Sequence, residues 1–425
     1  MHTTGRVLLL SATTGYQLRA FNDAADLLGI ELLFATDRCH QLDDPWRDQA
    51  IPIRFHQEDA SVERMIAACG RAPVDGVLAV GDRPTVLAAR VAERLGLRGH
   101  PPHAAAASGN KRETRARFKR AGLPVPWNIM LPLDADPHAA AHDPEVRFPC
   151  VLKPLGLSGS RGVIRADAAQ EFAAAFERIR SLLRRLDVRA ARTGLEDVLL
   201  VEGFIPGREF AIEGVLTEGA LQAFAIFDKP DPLDGPFFEE TIYVTPSALS
   251  GVSQITVLQT VETAAKALGL WHGPIHAECR INSEGVVMLE IAARPIGGLC
   301  SRALRFRGGG PLEEILLHHA VGDDISGVTR ESVASAVMMI PIPKRGIFKQ
   351  VEGLDQARAV GGVEEIIVTA KPDQLLEPLP EAGSYLGFIF GRGETSFQAE
   401  TAVRRAQEAL QFQIDPALPV NAVAR

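Results

Sequence analysis

The stretch His276-Ala277-Glu278-Cys279-Arg280-Ile281-Asn282-Ser283-Glu284-Gly285-Val286-Val287-Met288-Leu289-Glu290 reads as two strands around a polar turn closed by glycine. A three-residue loop centred on Glu284 sets Asn282 opposite Val286, Arg280 opposite Met288 and Glu278 opposite Glu290. The two carboxylates then stand about 4.5–5.5 Å apart at Cβ on one face, which is unfavourable unless a cation lies between them. Oxygen ligands of this kind suit Mg²⁺ or Mn²⁺, and Mg²⁺ commonly takes one or two carboxylates together with substrate phosphates. A two-residue turn instead shifts the pairing by one and sends the glutamates to opposite faces as ordinary surface charges. The same alternation carries Arg294 onto the metal face. There a guanidinium neutralises oxygens of a transferring phosphoryl group, or bridges to one of the glutamates.

Lys153-Pro154-Leu155-Gly156-Leu157-Ser158-Gly159-Ser160-Arg161-Gly162 is a strand ending in a lysine and opening into a loop with three glycines and two serines. Glycines let backbone N–H groups converge on an anion, Ser158 and Ser160 add donors, and Lys153 supplies a point charge for phosphate. The string is not a P-loop, which needs Gly-Lys-Ser/Thr leading into a helix, and a plain hairpin loop is the alternative. In Val201-Glu202-Gly203-Phe204-Ile205-Pro206-Gly207-Arg208-Glu209-Phe210 a strand leaves through a Gly/Pro corner and re-enters as another. Glu202 at the strand exit would hold an adenine amine and Glu209 ribose hydroxyls; a solvent-facing corner is the competing reading. The Pro/Gly-rich segment Asp228 to Thr241 is a long loop between strands and a candidate substrate wall. Glu239 or Glu240 would bind an amino group there, or the loop is simply a solvated acidic one. His276 would orient substrate or act as a base, or be a hydrogen-bonded structural histidine. Gly297 and Gly298 allow a carboxylate close to backbone N–H groups, and Cys279 and Cys300 read as small buried residues.

These residues need elements to carry them. Val7–Leu10 is a short apolar run ending at the turn Ser11-Ala12-Thr13-Thr14-Gly15, after which residues 18–28 repeat with helical period up to Gly29. Further strands at 30–35 and 76–80 alternate with helices at 62–69 and 85–95, so residues 1–103 form a small α/β domain with a parallel sheet. Its first turn lacks Gly-x-Gly-x-x-Gly, which argues against a dinucleotide-binding oxidoreductase. Beyond it, strands at 149–154, 163–165, 198–202, 209–216 and 221–227 mix with helices at 172–186 and 253–268, an α+β order. A third region follows Asp324, with strands at 334–342 and 364–369, a glycine-rich turn at Gly391-Arg392-Gly393 and a helix at 396–410. Ala104–Ala107 and residues 133–146 read as linker or loop.

With 425 residues the chain is long enough for about three domains. Asp plus Glu number 53 against 45 Lys plus Arg, a balance that argues against holding a nucleic-acid backbone by bulk charge. The five cysteines are far apart and form no Cys-x-x-Cys pair, so neither a disulfide framework nor a zinc ribbon is signalled. The N-terminal apolar run is too short for a signal-peptide core and no stretch approaches a membrane span, so a cytoplasmic protein without a membrane partner is expected.

Taken in order, Asn110-Lys111, Lys153 with its Gly/Ser loop, Glu202 and Glu209, then Glu278, Glu290 and Arg294 resemble the ATP-grasp superfamily over roughly residues 104–325. The resemblance implies an ATP-grasp fold: a pre-grasp α/β domain (1–103), a core of two α+β subdomains clamping ATP (104–325) and a C-terminal α+β cap (326–425). It implies Lys111 and Lys153 on phosphates, Gly156 to Gly162 as a lid, Glu202, Gly203, Phe204 and Ile205 at adenine, Glu209 at ribose, and Glu278 and Glu290 on Mg²⁺. Many ATP-grasp enzymes carry Glu-x-Asn where this chain reads Glu290-Ile291-Ala292, which removes one metal ligand. His276-x-Glu278 and Glu290-x-Ala-Ala-Arg294 are similar to the L-amino acid ligase branch. That branch implies small-molecule substrates, an acid activated as its acyl phosphate and then attacked by an amine, with Arg294 and Lys153 in the catalytic machinery and a homodimer as an assembly to test. A biotin-carboxylase-type enzyme activating bicarbonate is the runner-up.

Overall fold

In the computed structural model, residues 5–12, 17–37, 50–308 and 310–417 are described. Met1–Thr4, the expected turn at Thr13–Gly15 and Cys39 lie outside the described residues. The chain begins with β1 (Arg6–Ser11), α1 (Leu18–Leu28), β2 (Glu31–Thr36), β3 (Ala50–Pro52), α2 (Glu58–Arg71), β4 (Gly76–Val80) and α3 (Thr85–Leu95). The sheet is parallel in the order β3-β2-β1-β4. β1 is central and its period of two divides the packing: Val7 and Leu9 join Phe21 and Phe34, whereas Leu8 and Leu10 join Met65 and Val91. Helices α1 and α3 stop where expected, at Gly29 and Gly96, both in left-handed conformation.

The segment expected as linker is helical. α4 (Pro102–Ser108) starts on proline and buries Ala104, Ala105 and Ala107 close against α3, which small side chains permit; α5 (Lys111–Arg120) follows. A four-stranded antiparallel sheet comes next, ordered β5-β8-β6-β7. It comprises β5 (Asn128–Pro132), β6 (Cys150–Pro154), β7 (Ile164–Ala166) and β8 (Val198–Gly203). Within 133–146 the one turn of α6 (Pro137–Ala141) interrupts the expected loop. The helix anticipated at 172–186 is α7 (Ala169–Leu183) followed by a separate short α8 (Leu186–Arg189), and α7 covers the sheet with Phe172, Phe176 and Ile179.

The remaining strands are β9 (Arg208–Thr217), β10 (Ala220–Asp228), β11 (Ile242–Thr245), β12 (Gly273–Asn282) and β13 (Gly285–Ala292), with α9 (Gly251–Leu268) and α10 (Leu312–Val321) between and after them. The C-terminal region adds β14 (Ala334–Ile340), β15 (Gly346–Glu352), α11 (Leu354–Arg358), β16 (Val363–Val368), β17 (Leu375–Leu376), β18 (Gly387–Gly393), α12 (Ser396–Glu408) and β19 (Gln411–Asp415). One eight-stranded sheet runs β13-β12-β9-β10-β11-β14-β18-β16 and so crosses the boundary expected at 325/326. β11 pairs with β14 in the register Ile242↔Met338, so strands of the C-terminal region continue the central sheet. Gly391-Arg392-Gly393, expected as a turn, ends strand β18 instead. A Cβ on Gly391 would lie 2.8 Å from Val403 and 2.9 Å from the Ala399 carbonyl, so glycine is what lets α12 lie close on the strand.

Candidate active site

The hairpin β12–β13 departs from its expected register in an informative way. Its turn has two residues, with Asn282 opposite Gly285, Arg280 opposite Val287 and Cys279 opposite Met288. That turn alone would separate the glutamates, but a β-bulge at Leu289 inserts one residue and restores Glu278 opposite Glu290. The two glutamates therefore stand opposite one another, by a route other than the expected three-residue loop. The bulge is anchored by Arg115 of α5, whose Nη1 donates to Leu289 O at 2.8 Å and to Met288 O at 3.3 Å. The remaining nitrogens of Arg115 make a two-point pair with Glu202, at 2.8 and 3.0 Å.

Lys111 opens α5, a start defined by Asn110, whose side chain accepts from the Arg112 and Glu113 N–H groups. Its Nζ donates to Leu157 O at 3.0 Å, within the glycine- and serine-rich loop. Lys153, at the end of β6, lies 2.6 Å from Glu202 Oε1. Burial opposes ionisation of Glu202, yet the charges of Arg115 and Lys153 outweigh it and hold the carboxyl far below the usual range. The Glu202 carboxylate is thus committed to two cations, and, two residues on, Phe204 stacks on Phe238. Glu209 accepts from Arg280 Nε and Lys229 Nζ, both at 2.8 Å.

Lys229, 3% exposed, also meets Glu278 at 2.7 Å and Glu240. Ligand oxygens of Glu209, Glu240 and Glu278 lie within 4.8 Å of one another, so the ammonium supplies the counter-charge that three clustered carboxylates require. Burial disfavours the charged lysine, but Glu209, Glu240 and Glu278 together hold its pKa well above the ordinary value. Burial, reinforced by Glu278 and Glu209, pushes the Glu240 carboxyl up to about 7 against the pull of Lys229. Tyr243 donates its hydroxyl to Glu240 at 2.9 Å. His276 sits between Glu213 (3.1 Å) and Glu278 (3.7 Å); burial opposes its charge, yet the hydrogen bond to Glu213 and the charges of both carboxylates hold its pKa up at about 9.

Most of these groups line one cavity of about 370 Å³; Lys229 and Glu213 are not among its lining residues. Of the residues singled out in the sequence, Lys111, Lys153, Ser158, Gly159, Ser160, Glu202, Gly203, Phe204, Ile205, Glu209, Glu240, His276, Glu278, Glu290, Arg294, Gly297 and Gly298 are on its wall. Gly156, Gly162 and Glu239 are not among the lining residues. Gly162 has φ +75° and a Cβ there would lie 2.6 Å from the Pro154 ring, so its role is to let the loop fold back on the strand. The α/β domain closes one side: Arg294 Nε donates to Asp82 at 2.8 Å, and Gln17 donates to Ile296 O. Ala12 and Gly81 reach the cavity from just beyond the carboxyl ends of β1 and β4, where open α/β sheets bind ligands. Gly383 and Tyr385 reach it from the C-terminal region.

Sequence reasoning missed Asp82, Arg115, Lys229, Tyr243 and Arg280, as well as Gly383 and Tyr385. Arg115 carried a usable signal, since it stands four residues after Lys111 and shares its helix face. Lys229 carried another, as the only cation in the acidic loop 228–241. Asp82 had none, because its partner Arg294 lies 212 residues away.

Comparison with known proteins agrees with this geometry. An ATP-grasp domain family matches residues 146–303, an ATP-grasp N-terminal domain family residues 21–99, and the L-amino acid ligase C-terminal domain 2 family residues 338–415. Alanine--anticapsin ligase of Bacillus subtilis is 29% identical over 253 residues, 56% of this chain and 52% of that protein, so the chain spans about half the length of this relative. The crystal structure of an L-amino acid ligase from Bacillus licheniformis superposes with a TM-score of 0.82 at 24% identity, covering 97% of this chain and 99% of that one. A biotin carboxylase from Campylobacter jejuni shares the fold more distantly, with a TM-score of 0.64 at 17% identity over 96% of this chain and 92% of that one. The family matches, the fold and the composition of the cavity wall lead to one assignment: this chain has the ATP-grasp fold and carries, in order, an ATP-grasp N-terminal domain, an ATP-grasp domain and a C-terminal domain of the L-amino acid ligase kind.

Proposed function

We propose that the protein is an ATP-dependent ligase that joins a carboxylic acid, in our reading an amino acid, to an amine through an acyl phosphate, with release of ADP and phosphate. The observation that carries this reading is the convergence of Lys111, Lys153, Arg294 and the Glu278–Glu290 pair on one cavity. Phosphoryl transfer asks little covalent chemistry of a protein, so positioned cations suffice and no nucleophilic side chain is required. Glu278 and Glu290 offer carboxylate oxygens only, a hard donor set that fits Mg²⁺ or Mn²⁺. When bound there, the metal would neutralise charge on the transferring phosphoryl oxygens.

The chain's own residues do the rest. Lys111 and Lys153 hold the phosphates, the main chain of residues 203–205 with Phe204 and Phe238 receives the base, and Glu209 faces the ribose. The acid's oxygen attacks the γ-phosphorus and ADP leaves; the amine then attacks the acyl carbon and expels phosphate. Arg294, fixed by Asp82, stabilises the negative oxygen that develops in the second step. Glu240 beside Tyr243 is the acceptor for an ammonium group of the substrate. The four described cysteines are free and buried, which supports a reducing, cytoplasmic setting.

The test is a screen of amino-acid pairs for ADP release, with mass spectrometry of the products. An amide product formed in step with ADP supports the ligase. Phosphate release that requires bicarbonate and not amino acids overturns it in favour of a carboxylase.

A further inference from the structure

The loop of residues 156–162 ends on a segment of the C-terminal region to which the sequence assigned no role. The Gly162 N–H donates to Pro380 O at 2.9 Å, and Arg161 Nε donates to Glu381 O at 2.7 Å. The Glu381 carboxylate is in turn gripped at two points by Arg178 of α7, at 2.6 and 2.9 Å. Gly383 lies so close to the loop that a Cβ there would be 3.2 Å from Gly159 O. Arg185 next to α8 reaches Glu377 at 2.8 Å, a second tie between the small subdomain and the same segment. Gly383 and Tyr385 from this segment also form cavity wall.

We propose that residues 378–385 are the seat of the phosphate lid, and that Glu381 is a positioning residue holding the lid shut while the acyl phosphate exists. The contact stands on geometry alone; its chemical consequence rests on the ligase reading. One main-chain hydrogen bond and one from the Arg161 side chain to a main-chain carbonyl fasten the lid to the seat, and the Arg178–Glu381 pair fastens the seat to the subdomain that carries the lid. The C-terminal region is thereby part of the closure that keeps water out. Where the lid opens, water adds to the acyl phosphate, the bond between acyl group and phosphate breaks, and acid and phosphate leave with ADP but without amide.

The experiment compares the full-length wild type with Glu381→Ala, Arg178→Ala and the charge-swapped Arg178→Glu/Glu381→Arg. One readout is hydrogen–deuterium exchange of peptides containing Gly162, without substrates; the other is the ratio of ADP released to amide formed. A partly exposed bidentate pair supports an effect of about two- to five-fold in each readout for the single variants, with recovery in the swapped variant. Unchanged exchange at Gly162 in both single variants overturns the seat, and faster exchange at an unchanged ADP-to-amide ratio overturns its role in coupling. Should the wild type turn over no amino-acid pair, the ligase reading fails on its own and the exchange arm decides the seat.

Discussion

Arg115→Met removes a guanidinium while keeping an aliphatic stem of similar length. Glu202, 1% exposed, then loses its two-point partner and keeps only Lys153 at 2.6 Å. Breaking a buried pair costs about 3–5 kcal/mol when the surviving charge is left alone. Lys153 offsets part of that, so about 2–3 kcal/mol remains, and the main-chain carbonyls at the bulge add about 1 kcal/mol. The expected loss is about 3–4 kcal/mol, read as a lower urea midpoint. Activity falls further, because Lys153 is drawn fully onto Glu202 and the bulge that aims Glu290 loses its anchor; displacements near 1 Å cost about 100-fold in rate. The sign with pH follows from Glu202, whose folded pKa is depressed. Its stabilisation is present above its unfolded pKa, near 4.5, and is lost as pH falls toward the lower folded value. The wild type therefore loses this contribution in acid and the gap to Arg115→Met narrows below about pH 4.5. A double-mutant cycle with Glu202→Gln isolates the pair and should give a coupling of about 2 kcal/mol. Additivity within about 0.5 kcal/mol, or ADP formation at the wild-type rate, would refute the reasoning.

Glu290→Gln should abolish Mg²⁺-dependent ADP formation without moving the thermal midpoint; unchanged ADP production removes the metal assignment. Lys229→Met leaves Glu209, Glu240 and Glu278 without their shared ammonium and should cost about 3–5 kcal/mol, whereas Lys229→Arg retains most of it; urea titration of both variants decides. Burial, helped by the neighbouring His272, holds the pKa of His319 down at about 4, so the folded state takes up fewer protons than the unfolded chain between pH 4 and 6.5. Stability should fall as pH drops through that window and His319→Gln should shallow the fall; a parallel pH profile in the variant would contradict this.

Much of the site was legible because it is local. A lysine at a strand end, a loop of glycines and serines, and two glutamates on one hairpin each sit within a few residues of sequence, and period-two alternation assigns them a face. The three helices of the first domain and two of their glycine stops were legible for the same reason. What failed was non-local. Ala104–Ala107 has no amphipathic pattern, since its helix is small on every face in order to approach α3. The glycines at 391 and 393 mark close packing against α12, not a turn.

By itself the sequence determined the chemistry available: acids, lysines and arginine of the right types, in the order in which an ATP-grasp chain presents them. Only the tertiary structure decided which of them share a charge. The Glu278–Glu290 register depends on a bulge held by Arg115 from 174 residues away, and Glu202, expected at adenine, is the partner of two cations. Side-chain periodicity reports the face of a strand, but the register of its partner and the counter-charge of a buried group are set by residues brought near only when the chain folds.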